Sequence, residues 1–153
     1  MTLRPYRSVL YIPGGRARAL EKARSMPVDS IIFDLEDAVA LEEKASARAT
    51  LVAHLLEGGY GPRSQIIRIN GLDTPWAAED IAAIAEVRPE AVLLPKVDHA
   101  EMISELGAVM GRYDGFENTQ IWAMMETPRG ILKAAEIADA PRMGGMVMGT
   151  NDL

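Results

Sequence analysis

Six short apolar runs recur along the chain, each broken off by glycine, proline or a charged residue. They are residues 8–12 (SVLYI), 29–39 (DSIIFDLEDAV, apolar at Ile31-Ile32-Phe33), 64–69 (SQIIRI), 91–94 (AVLL), 120–125 (QIWAMM) and 145–148 (GMVM). Runs this short, rich in β-branched and aromatic side chains, read as buried strands. Between them lie stretches with helical spacing: 16–25 after the Pro13-Gly14-Gly15 break, 41–56 with Gly58-Gly59 as its stop, 77–87, 101–110 and 131–138. Thr74-Pro75 supplies a cap residue and a first-position proline for the third of these. Strand and helix alternating over short connections means parallel strands with helical crossovers.

Two architectures satisfy that pattern, a doubly wound open sheet and a (β/α)₈ barrel. A barrel takes about 250 residues, so the 153 residues here favour the open sheet on length alone. The first loop, Pro13-Gly14-Gly15-Arg16, lacks the GxGxxG spacing of a dinucleotide site. No linker or low-complexity tract interrupts the chain, which reads as a single domain, residues 1–153.

Composition removes whole classes of function. There is no cysteine, which excludes disulfides, thiolate metal sites and cysteine nucleophiles. A net charge of −6 disfavours nucleic acid, because phosphate binding calls for a basic face. Residues 1–6 carry no long apolar leader and no run reaches membrane length. A cytoplasmic protein without membrane or nucleic-acid partner is the expectation.

Both architectures place function at the C-terminal ends of their strands. Those ends carry Asp34, Glu36 and Asp37, then Arg68, Lys96, Glu126 and Asp152. Ionised carboxylates are costly to bury alone, so the first cluster needs a cation or donors, or else caps the next helix in solvent. Arg68 interrupts an Ile run; alternation reads it as turned into the barrel or crevice with Gln65 and against Ile67. It needs a counter-charge, and a structural ion pair with one of the acids is the plain reading. Lys96 reads as a solvated strand end.

Glu126 and Asp152 make the best metal pair, since Mg²⁺ takes one or two carboxylates and completes its shell with water and substrate oxygens. Glu36 and Asp37 are then placed to bind metal-held waters. The plain alternatives are that Glu126 caps the helix after Thr127-Pro128 and that Asp152 has no role. His54 and His99 stand isolated and read as structural.

The motifs, taken in order, resemble the citrate lyase β-subunit-like proteins, the group that includes malyl-CoA and citramalyl-CoA lyases. They are Arg7-Ser8 with Tyr11-Ile12-Pro13-Gly14, Asp34-Leu35-Glu36-Asp37-Ala38-Val39 with Lys44 and Ala47-Arg48, Arg68-Ile69-Asn70, Leu94-Pro95-Lys96, Glu126-Thr127, and Gly149-Thr150-Asn151-Asp152-Leu153. The resemblance spans nearly the whole chain. It implies a (β/α)₈ TIM barrel of the phosphoenolpyruvate/pyruvate superfamily, of which this chain supplies about six βα units, and so sets aside the open sheet. It implies Mg²⁺ held by Glu126 and Asp152, catalytic roles for Arg68, Glu36 and Asp37, and substrate binding by Arg68 and Glu126, with Arg68 clamping a keto-acid carboxylate. The implied reaction is reversible carbon–carbon cleavage of a 3-hydroxyacyl thioester (citryl, malyl or citramalyl type). The partners are an acyl-CoA or acyl-carrier thioester and a small keto acid, in a homo-oligomer, trimer or hexamer. The alternatives are a pyruvate-dependent aldolase of the same superfamily and a non-catalytic or truncated subunit. The family's acid/base carboxylate lies C-terminal to Leu153, so residues 1–153 are expected to lack full activity and to expose their edge strands.

Overall fold

A computed structural model of the protein describes residues 6–153. The reading of residues 1–6 as lacking a leader therefore falls, apart from Tyr6, outside the described residues. The elements run β1 (Val9–Pro13), α1 (Ala17–Ala23), β2 (Ser30–Asp34), α2 (Lys44–Glu57), β3 (Ser64–Arg68), α3 (Ala77–Ile84), β4 (Ala91–Leu94), α4 (Ala100–Met110), β5 (Gln120–Met125), α5 (Pro128–Leu132), α6 (Ala134–Ala138) and β6 (Met143–Met148). One-turn 3₁₀ segments, Leu41–Glu43 and Ala85–Val87, lead into α2 and extend α3.

All six strands are parallel, and the sheet order is β1-β2-β3-β4-β5-β6. A doubly wound sheet reverses direction at a switch point, whereas this order never reverses. The sheet is a half-barrel built of the alternating units expected of a (β/α)₈ fold.

Period-two alternation divides the strands between two cores. The outward set, including Ile31, Phe33, Ile67, Val92, Ile121 and Ala123, packs under Leu20, Leu51, Ile81, Ile103, Leu106 and Ile137 from the helices. The inward set, Ile32, Ile66, Ala91, Leu93, Trp122 and Met124, forms a smaller cluster inside the half-barrel. Each fully buried Leu, Ile or Phe contributes about 1.5–3 kcal/mol, so the helix-side layer dominates stability. The inner layer supports the site.

The register pairs Ile32 with Ile66 and Asp34 with Arg68. Arg68 therefore shares the inner face with Ile66 and not with Gln65. Residues two apart share a face of a strand, and Gln65 stands three away.

Two helix boundaries differ from expectation. Thr74 does not open α3: its hydroxyl donates to the Gly71 carbonyl at 2.7 Å and its N–H to the same oxygen at 3.0 Å, which closes a turn, and helix begins at Ala77. The helix expected over 131–138 starts earlier, at Pro128, and breaks at Lys133 into α5 and α6.

Among the described residues β1 pairs only with β2, and β6 only with β5. Across the open side the Tyr6 ring meets Trp122 edge-on at 4.9 Å, and the Tyr11 hydroxyl reaches the Met124 sulfur at 3.4 Å. Val9, Tyr11, Met146 and Met148 remain partly exposed there. No helix among the described residues is long and apolar enough to cross a membrane.

Candidate active site

The C-terminal rim of the half-barrel is charged where the layer beneath it is apolar. Asp34 ends β2 and Arg68 ends β3, and both are almost fully buried. Arg68 Nε donates to Asp34 Oδ1 at 2.7 Å and Nη2 to Oδ2 at 2.6 Å, a two-point bond. Asp34 also accepts the backbone N–H groups of Glu36 and Ala38, at 2.9 and 3.0 Å, so it shapes the turn that carries Glu36 and Asp37.

The remaining corner of the guanidinium, Nη1, lies 3.1 Å from Glu36 Oε2 and 3.7 Å from Asp37 Oδ2. Its central carbon stands 5.4 Å from the Tyr11 ring centroid. Burial opposes the Arg68 charge, but the Asp34 bond and the charges of Asp34 and Glu36 outweigh it and hold the group above its ordinary pKa. The expected ion pair with an acid is present, and the partner is Asp34. The Nε–Nη2 edge is thereby occupied by Asp34, and Nη1 is shared between Glu36 and Asp37 at the cavity wall.

At the ends of β4 and β5 the Lys96 N–H donates to Glu126 Oε1 at 2.7 Å, and the Lys96 ammonium donates to Glu36 Oε1 at the same distance. The Lys96 side chain is 52% exposed, as expected of a strand end, and it is also paired with Glu36. Glu126 is 4% exposed, and burial pushes its carboxyl pKa up against the opposing pull of Lys96. It does not cap α5; Thr127 does, its hydroxyl accepting the Gly130 N–H at 3.0 Å.

The segment after β6 passes close over Glu126. A Cβ added at Gly149 would lie 2.7 Å from Glu126 Cβ and 2.8 Å from Oε2, so only glycine leaves that oxygen its space. Asp152 follows on the same segment, exposed on the rim. Arg68, Asp34, Asp37, Tyr11, Glu126 and Asp152 line one cavity of about 490 Å³.

Among the described residues no group of three or more His, Asp or Glu side chains gathers into a metal cage. Four carboxylates line this cavity; Asp34 and Asp37 face Arg68, which leaves Glu126, with Oε2 kept clear by Gly149, and Asp152 as the metal donors. That set fits Mg²⁺, whose other positions go to water and substrate oxygens, and does not fit a closed zinc site. Neither His54, in α2, nor His99, beside Asp98 at the head of α4, lines this cavity.

Residues 7–153 match the family model for HpcH/HpaI aldolase/citrate lyase. The chain belongs to that family. It is 52% identical over 149 residues to a (3S)-malyl-CoA thioesterase of Cereibacter sphaeroides, an alignment covering 97% of this chain and 50% of that protein. It is 38% identical over 154 residues to the citrate lyase subunit beta of Leuconostoc mesenteroides, covering 95% of this chain and 50% of that one. The solved citrate lyase beta subunit of M. tuberculosis, complexed with oxaloacetate and magnesium, superposes with a TM-score of 0.77 at 34% identity, over 95% of this chain and 58% of that chain. The chain thus spans about half the length of the curated relatives it matches.

In this HpcH/HpaI member a second charged layer lies behind the site, built on Lys44, Arg48, Asn70 and Asp80. The buried Lys44 ammonium donates to the Leu35 and Glu36 carbonyls at 2.9 and 2.6 Å. Asn70 donates to the Leu35 carbonyl at 3.0 Å and to Asp80 Oδ2 at 2.7 Å; Arg48 Nε donates to Asp80 Oδ1 at 2.8 Å. Asp80 is 1% exposed. The network ties α2, α3 and the ends of β2 and β3 to the backbone that presents Glu36. Lys44 and Arg48 are four apart and share a helix face with Leu51, which was the available signal.

Proposed function

We propose that this chain carries the metal- and keto-acid-binding half of a Mg²⁺-dependent carbon–carbon lyase. The enzyme reversibly cleaves a 3-hydroxyacyl thioester of citryl, malyl or citramalyl type to a keto acid and a shorter acyl thioester. The supporting observation is that Arg68 and the cleared oxygen of Glu126 line one cavity. Glu126 and Asp152 would hold the ion, which supplies a Lewis acid for the keto-acid oxygens. Arg68 binds the keto-acid carboxylate from its cavity side, where Nη1 is shared with Glu36, while Asp34 and Tyr11 keep the guanidinium from turning. A positive group fixed in place before reaction stabilises charge as it develops on oxygen.

Glu36 acts here as a strut, because both of its oxygens already face cations, Lys96 and Arg68. Asp37, whose side chain is 60% exposed, stands 3.7 Å from Arg68 on the cavity wall. The acyl thioester is carried on CoA or an acyl carrier. We place the protein in the cytoplasm as a homo-oligomer, trimer or hexamer.

A second reading is hydrolysis of the thioester, favoured by the name of the 52%-identical relative. The test of the first is turnover of malyl-, citramalyl- and citryl-thioesters by the full-length protein. Activity should require Mg²⁺, vanish with chelator and vanish in Glu126→Gln. Turnover that ignores the chelator would contradict the metal-dependent reading.

A further inference from the structure

Lys96 sits in a left-handed backbone conformation, with φ of +52°. Side-chain-bearing residues are disfavoured there, and the exceptions cluster at functional sites. The turn is held on both sides. The next residue, Val97, returns to the β5 backbone by donating to the Met124 carbonyl at 3.3 Å. Helix α5 lies hard against it: a Cβ added at Gly130 would collide with the Val97 carbonyl oxygen.

The conformation points the two arms of Lys96 at two different carboxylates. Its N–H takes Glu126 Oε1 and its ammonium takes Glu36 Oε1. Glu126 is left with Oε2, in the gap beside Gly149, to face the cavity. Glu36 is left with Oε2 against Arg68 Nη1. One residue of β4's end thus fixes a carboxylate from β5's end and, through Glu36, the guanidinium from β3's end.

We propose that Lys96 is a positioning residue of this site: its backbone presents Glu126 to the metal through a single oxygen, and its ammonium, acting through Glu36, holds Arg68 toward the keto acid. The proposal rests on the reading of Glu126 and Arg68 given under Proposed function. The two arms separate by substitution. Lys96→Gly keeps the left-handed turn and loses the ammonium. Lys96→Val loses the ammonium and resists the turn, with Lys96→Ala between them. Lys96→Met keeps an unbranched stem and loses only the charge; Lys96→Arg keeps the charge.

The variants are made in the full-length protein. Mg²⁺ affinity is measured by calorimetry without substrate, and the KM for the keto acid in the condensation direction. Mg²⁺ affinity should stay within about threefold of wild type in Gly and Met and fall about tenfold in Val, the size expected for forcing a branched residue into this region. Should Val fail to fold, Ala should still bind Mg²⁺ more weakly than Gly. The keto-acid KM should rise about fivefold in both Gly and Met, and Arg should restore it to within about twofold. A purely structural lysine would lower the melting temperature without separating the two readouts. Equal Mg²⁺ affinity across Gly, Ala and Val, or a wild-type KM in Met, overturns the proposal. Undiminished Mg²⁺ binding by Glu126→Gln removes the metal assignment itself, and the proposal with it, and that result is read independently of any Lys96 variant.

Discussion

Asp34 and Arg68 face each other in register at the ends of β2 and β3, joined by two bonds of 2.7 and 2.6 Å. The pair turns the inner layer from apolar, at Ile32 and Ile66, to charged within two residues of each strand. Removing one partner of a buried pair strands the other, at a cost of about 3–5 kcal/mol. Asp34→Ala should lose that much in urea denaturation. Arg68→Lys should lose less stability, because a charge remains, but should raise the keto-acid KM or cut kcat at least tenfold, since a point charge cannot serve Asp34 and a substrate together. Unchanged kinetics for Arg68→Lys would remove the substrate role.

The layer behind the site should prove structural. Asp80→Ala leaves Arg48 and Asn70 without their shared acceptor and should destabilise by about 3 kcal/mol. Glu79 binds the same Arg48 at 2.6 Å but its side chain is 68% exposed, so Glu79→Ala should cost under about 1 kcal/mol. Comparable losses for the two would mean that burial does not govern this network.

Acid stability should depend on the clasp at the start of the sheet. The side-chain bond from Arg7, reinforced by the N–H groups of Arg7 and Ser8, holds the Asp29 carboxyl at about 2, below its ordinary 3.8. A depressed carboxylate pKa stabilises the fold above pH 3.8 and loses that contribution as pH falls from 3.8 toward 2. Asp29→Asn should flatten the stability–pH curve in that window. An identical acid-unfolding profile for the variant would exclude the clasp as its cause.

The polypeptide 1–153 should associate or bind hydrophobic dyes. Edge strands β1 and β6 have unpaired outer sides among the described residues, and Tyr11 and Met148 are 37% and 58% exposed beside them. Sedimentation and dye binding decide it. A monodisperse monomer with a cooperative melt would contradict this expectation.

The strands were legible because each apolar run is short and sharply ended; β4 and β5 fall on the runs 91–94 and 120–125 without adjustment. The strand-end charges followed directly from that. Their pairing did not, because it depends on register between strands far apart in sequence. Asp34 was visible as an acid, but only alignment with Arg68 shows that it holds the guanidinium. Lys96 was visible as a strand-end charge, but its left-handed turn was not, because a positive φ on a lysine leaves no mark in sequence. Thr74-Pro75 misled because the same residues that start a helix also close a turn on Gly71.

The most direct test is the identity of the products formed from malyl-CoA by the full-length protein with Mg²⁺. Cleavage of the carbon–carbon bond yields glyoxylate and acetyl-CoA; hydrolysis of the thioester yields malate and free CoA. Glyoxylate and acetyl-CoA should form in equal amounts, with the reverse condensation detectable. Malate and free CoA as the first products, with no acetyl-CoA formed on the way, would contradict the lyase reading.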